Sequence, residues 1–199
     1  MPFFGKFTCS GNNRNELKEI KILNYSHNNL TYVPEEIILH ERSLEELFLD
    51  SNRISELPRW LFQCYGLRIL CLNDNEFQSL PASIGNLINL ENLDISKNDI
   101  KDIPDTIRCC KQVNVIEASV NPIGRLPEGF MLLVNLKELY LNDTFLEYLP
   151  GSFGRLSNLR ILEVRENRLK ILPKSMSRLT ELIRLDIGTN EFDTFVIFI

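Results

Sequence analysis

Apolar positions come round at a fixed interval along this chain. Leu44, Leu47 and Leu49, followed by Asn52, begin a stretch that recurs at 67–75, 90–98, 113–121, 136–144, 159–167 and 182–190, every start 23 residues after the last. A leading copy at 20–28 lies one residue farther off and brings the number of units to eight. Positions four and six of each stretch are apolar with an outward position between them, which is the alternation of a short strand with one buried face. In the second unit this predicts that Leu47 and Leu49 turn inward while Phe48 and Asp50 face out. The first seven units then carry an apolar residue followed by proline, from Val33-Pro34 to Leu172-Pro173, and seven of the nine prolines occupy that slot. Proline fixes φ and removes a backbone donor, so it closes the extended stretch and opens a return segment. Successive strands are therefore expected to stack in parallel, and the bulkier returns to splay the outer side, leaving the sheet on the inside of an arc.

The period and the spacing L-x-x-L-x-L-x-x-N are those of the leucine-rich repeat. The expected fold is α/β in class: a curved leucine-rich repeat solenoid of 23-residue repeats with a parallel sheet on its concave face. Residues 1–19 read as an N-terminal cap or membrane-proximal segment, 20–193 as an array of about eight repeats, and 194–199 as a repeat end that is expected to be truncated. After Asn190 the pattern calls for an apolar residue and proline, and the sequence gives Phe195-Val196. Asn52, Asn75, Asn98, Asn121 and Asn167 are expected to turn inward at the strand exits, where an amide satisfies backbone groups that the turn leaves unpaired. Thr144 takes that place in one unit, which should be differently turned.

Composition narrows the function classes. With 199 residues, 44% of them hydrophobic and 25% charged, the chain has the make-up of a folded protein, and its net charge of -5 gives no global attraction for nucleic acid. No apolar run approaches the roughly 18 residues of a membrane span. Five cysteines at irregular spacing fit free thiols better than a disulfide framework or a zinc site. The only histidines are His27 and His40, with no triad or metal-ligand spacing around them, and no phosphate-binding glycine loop is present. The chain therefore reads as non-enzymatic, without a cofactor, a metal or a small-molecule substrate.

The candidate binding surface is the inner wall. Among positions five, seven and eight of the units stand eight acids, Asp50, Asp74, Asp94, Glu117, Asp143, Glu163, Glu166 and Asp186, opposed only by Lys97 and Arg165. Phe48 and Tyr140 lie within this stripe. Such a wall suits a partner protein with a basic segment: its Lys and Arg would speed encounter and the rings would supply buried contact. At the other extreme of the chain, Cys9 is a candidate lipidation site, with Phe3, Phe4 and Phe7 beside it. One acyl chain without a polybasic patch gives weak, peripheral attachment.

Several strings carry a closer likeness: Val33-Pro34-Glu35-Glu36-Ile37, then Ser43 to Asp50 (SLEELFLD), Leu93 to Ile100 (LDISKNDI), Asn121-Pro122-Ile123 with Leu126-Pro127-Glu128-Gly129-Phe130, and Arg165-Glu166-Asn167. Over residues 20 to about 193 the chain resembles the leucine-rich-repeat-and-PDZ polarity scaffolds, the group of Scribble, Erbin, Densin and Lano, and the lost asparagine at Thr144 is similar to that group. The resemblance implies a cytoplasmic adaptor at the lateral membrane and cell junctions that organises polarity by binding partners such as Lgl-like proteins. It also implies acylation of an N-terminal cysteine, which favours Cys9, although the sequence around it is not a close match. Two alternatives share the 23-residue template: a Ras-pathway leucine-rich repeat adaptor, and the substrate-reading arm of an enzyme whose catalytic domain lies elsewhere.

Overall fold

The computed structural model describes residues 19–192. Eight three-residue strands, β1 (Ile22–Asn24), β2 (Glu46–Phe48), β3 (Ile69–Cys71), β4 (Asn92–Asp94), β5 (Val115–Glu117), β6 (Glu138–Tyr140), β7 (Ile161–Glu163) and β8 (Arg184–Asp186), form one open sheet in sequence order. All neighbours are parallel, and each pairing is offset by one repeat: Leu47 lies opposite Leu70, Leu93 opposite Ile116, Leu162 opposite Leu185. The constant offset follows from the constant period, since a slip of one residue would turn every buried leucine to solvent. The molecule is a curved leucine-rich repeat solenoid, as the periodicity predicts.

Seven 3-10 turns make up the return side: η1 (Glu35–His40), η2 (Arg59–Gln63), η3 (Ala82–Asn86), η4 (Asp105–Cys109), η5 (Glu128–Leu132), η6 (Phe153–Arg155) and η7 (Lys174–Arg178). Six of them start directly after the repeated proline, held near φ -57 to -70. The ring pre-sets the angle that the turn needs and removes an N–H that would have no partner there. The core between sheet and turns is leucine and isoleucine from template positions one, four and six, reinforced from the return side by Phe62, Phe77, Phe130 and Phe153. Where the returns approach one another, small residues are required. A Cβ on Gly129 would lie 2.5 Å from the Asp105 carbonyl oxygen, and one on Gly154 would strike the Ser175 backbone.

The asparagines form the expected ladder, and it ties each coil to the one before. Asn98 Nδ2 lies 3.0 Å from Leu72 O in the preceding coil and 3.0 Å from Ile95 O and Ser96 O in its own, while its Oδ1 accepts the Phe77 N–H at 3.1 Å. Asn52, Asn75, Asn121 and Asn167 repeat the pattern. Asn190 does the same one coil later, from Nδ2 to Val164 O at 2.8 Å.

Thr144 alters the turn, and the change reaches back into the preceding coil. Its hydroxyl lies 2.9 Å from both Leu141 O and Asn167 Oδ1, and no side chain reaches the N–H of Ile123 as Asn98 reaches Phe77. Ile123 instead donates to Asn121 O at 2.8 Å, and Gly124, at φ +68, donates to Thr144 O. Pro122 belongs to the same fault, because its counterparts Arg53, Glu76, Asp99, Arg168 and Glu191 donate to the coil before, as Asp99 does to Phe77 O. A proline has no proton to give.

Segments 1–18 and 193–199, and with them Cys9, the three N-terminal phenylalanines and the expected truncated end, lie outside the described residues. No helix among the described residues is long and apolar enough to cross a membrane.

Candidate functional site

Parallel registration turns each template position into a row running across the concave sheet. Position five gives Asn24, Phe48, Cys71, Asp94, Glu117, Tyr140, Glu163 and Asp186, each directly opposite the next. The sequence-predicted residues Phe48, Asp94, Glu117, Tyr140, Glu163 and Asp186 are thus brought into one line, all half-buried. Asp50 and Arg165 lie at position seven, just past the strands. Asp74, Lys97, Asp143 and Glu166 lie at position eight, which is left-handed in every unit, with φ between 52 and 58 from His27 to Thr189. These four mark the strand-exit rim of the wall.

Several wall carboxylates also have a local task that the residue pattern did not reveal. The N–H at position seven has no backbone acceptor along this row; in four units the position-five side chain takes it, while Asn142 N–H goes to Ser119 Oγ and Arg165 N–H to Asn142 Oδ1. Asp94 Oδ1 accepts Ser96 N–H at 3.0 Å, Glu117 Oε1 accepts Ser119 N–H at 2.8 Å, and Asp186 Oδ1 accepts Gly188 N–H at 3.0 Å. Asn24 makes the same bond to Ser26 with an amide, so an acceptor suffices for this role and a charge is not needed.

Compensation of the charges is uneven. Glu163 accepts Asn142 Nδ2 and pairs with Arg184 at 3.0 Å. Asp50 accepts the Ser26 hydroxyl at 2.5 Å and has His27 at 3.8 Å. Asp94 and Glu117, directly opposite each other, make no salt bridge among the described residues. Burial holds the Glu117 carboxyl above the usual range, the Ser119 hydrogen bonds oppose this, and the neighbouring Asp94 and Glu163 charges add to it. Burial, then a 2.8 Å hydrogen bond to Glu138, pushes the Tyr140 phenol up to about 12. Cys71, next in the row to Asp94, is pushed up to about 11 by burial and the surrounding acids, so it is a poor nucleophile.

A second line of charges, at position two along the strand-entry edge, is internally matched over its first four members. Lys21 meets Glu45 at 2.6 Å and Arg68 meets Glu91 at 2.8 Å, with Arg68 also 3.8 Å from Glu45. Among the described residues no three His, Cys, Asp or Glu side chains are grouped to hold a metal ion. The arrangement offers recognition by shape and charge.

Comparison with known proteins agrees with this architecture. Two leucine-rich repeat family patterns match residues 134–192, and 43–64 with 89–110, together just over half of the chain. Leucine-rich repeat-containing protein 7 of Rattus norvegicus is 58% identical over 57 residues, which is 29% of this chain and 4% of that protein. Erbin of Mus musculus matches with the same identity over 57 residues, again 4% of its length. Among solved structures, a leucine-rich repeat protein of Leptospira interrogans aligns over 87% of this chain and 56% of its own at TM-score 0.57 and 28% identity. TLR13 in its complex with ssRNA13 aligns over 87% of this chain and 26% of its own at TM-score 0.77 and 28% identity. Eight registered coils, the asparagine ladder and these matches establish that the chain belongs to the leucine-rich repeat family.

Proposed function

We propose that this chain is a protein-interaction adaptor whose concave sheet takes a basic segment of a partner protein. The observation that carries the reading is the Asp94–Glu117 pair: two carboxylates opposite each other on adjacent strands, neither of them in a salt bridge among the described residues. Like charges so placed cost stability, and a local acceptor could have been an amide. A Lys or Arg from a partner relieves that repulsion on binding. The likeness to the polarity scaffolds supports a finer reading: an adaptor on the cytoplasmic side of the membrane at cell junctions, held peripherally through Cys9 and engaging Lgl-like proteins.

The test is fluorescence anisotropy with a lysine- and arginine-rich segment of an Lgl-like protein. Affinity should fall about tenfold or more between about 50 and 300 mM salt, since exposed charges are screened over this range. The double variant Asp94→Asn with Glu117→Gln keeps the local acceptors and should weaken binding at low salt. An affinity indifferent to both salt and the double variant would refute the reading.

A further inference from the structure

The position-five row is divided along its length. On β2 and β3 it presents Phe48 and Cys71, with Ile69 beside them at position three, all half-buried. From β4 onward it is acidic apart from Tyr140. The acids differ in how far they are already met: Glu163 has Arg184 and Asn142, whereas Asp94 and Glu117 have only hydroxyl and backbone donors from Ser96 and Ser119. The wall therefore offers an apolar foothold at one end and, next to it, its least compensated negative pair.

Resting on the function proposed above, we infer that a basic segment docks in one orientation, with an apolar anchor over Phe48, Ile69 and Cys71 and a cation between Asp94 and Glu117. The reverse placement would set the apolar side chain over two carboxylates and strip them of water, whereas a cation beside Cys71 would still meet Asp50 and Glu46, so the orientation is set by where the apolar side chain finds burial. The two subsites also fix a spacing. Strands lie about 4.8 Å apart, so Phe48 on β2 and the midpoint between Asp94 on β4 and Glu117 on β5 are separated by roughly 12 Å, or about three to four residues of an extended segment. The occupant is a peptide segment with an aromatic or large aliphatic residue about three to four positions from an arginine or lysine.

A double-mutant cycle on a defined probe tests this. The probe is the acetylated peptide Phe-Ser-Gly-Ser-Arg-Lys, with one partner peptide in which Phe is replaced by Ala and another in which both basic residues are replaced by Gln. Binding to the whole chain is followed by NMR shift changes up to about 1 mM peptide, which reaches dissociation constants in the millimolar range. The protein variants are Phe48→Ala, Ile69→Ser and Glu117→Gln. Replacing the peptide Phe should weaken binding several-fold to the parent and to Glu117→Gln, and much less to Phe48→Ala or Ile69→Ser. Replacing the basic residues should show the converse pattern. Glu117→Gln should in addition raise the melting temperature at neutral pH, which loss of a merely structural group would not do. Salt-dependent binding with the couplings absent or exchanged would overturn the orientation and leave the basic-segment reading standing. Failure of every peptide containing the basic residues to bind would overturn both.

Discussion

At the scale of single residues, the ladder asparagines and the left-handed positions decide local stability. Asn98→Ala removes the partner of the Phe77 N–H and of the Leu72, Ile95 and Ser96 carbonyls in a site where Asn98 is 7% exposed. It should lower stability by about 1 to 3 kcal/mol in chemical denaturation. Val120 is the opposite case. It holds φ 58 while 45% exposed, so a β-branched side chain accepts a crowded backbone with little burial in return. Val120→Asn should stabilise by up to about 1 kcal/mol, read as a higher urea midpoint with an unchanged slope. The asparagine role could be read from sequence because one residue type recurs at one place. The left-handed turn could not, since His27, Ser51, Asp74, Lys97, Val120, Asp143, Glu166 and Thr189 occupy it and share no chemistry. There the backbone is imposed by the neighbouring coils.

At the scale of elements, three-residue strands and 3-10 turns are too short to persist alone, and their stability comes from stacking. The strands were readable because the leucines fix both face and register. The returns were readable as compact segments after proline, but their detailed packing was not, because it depends on which of two facing positions is small. Gly129 shows this: its N–H donates to Asp105 Oδ1 at 2.7 Å, and the same aspartate's carbonyl fills the space where a Cβ would go. Gly129→Ala should therefore push η5 away from η4 and cost about 1 to 3 kcal/mol by thermal melting, despite the better helical propensity of alanine. The position-five acids were readable as a stripe, whereas their bonds to the N–H two residues on depend on a gap in the backbone bonding that appears only once the sheet is assembled.

At the scale of the whole molecule, the acidic row makes stability depend on pH. The Glu117 carboxyl keeps its proton in the folded chain to a higher pH than in the unfolded chain. Between the ordinary value of 4.5 and the raised folded one, the folded state binds more protons, so stability falls as pH rises through that window and stays lower above it. Glu117→Gln removes this fall. Its melting temperature should match the parent near pH 3, where both side chains are neutral, and exceed it near pH 7, by roughly the linkage cost of one raised carboxyl. Equal melting temperatures at both pH values would show that the row carries no such cost. A stack of near-identical coils faces a different hazard as it assembles, because a strand can thread against the wrong copy and still bury its leucines. The fault at Pro122 and Thr144 is a mark against such misthreading: Gly124, at φ +68, donates to Thr144 O of the next coil at 2.8 Å, and a coil displaced by one period would lose that bond. One irregular joint thus gives an otherwise uniform ribbon an address.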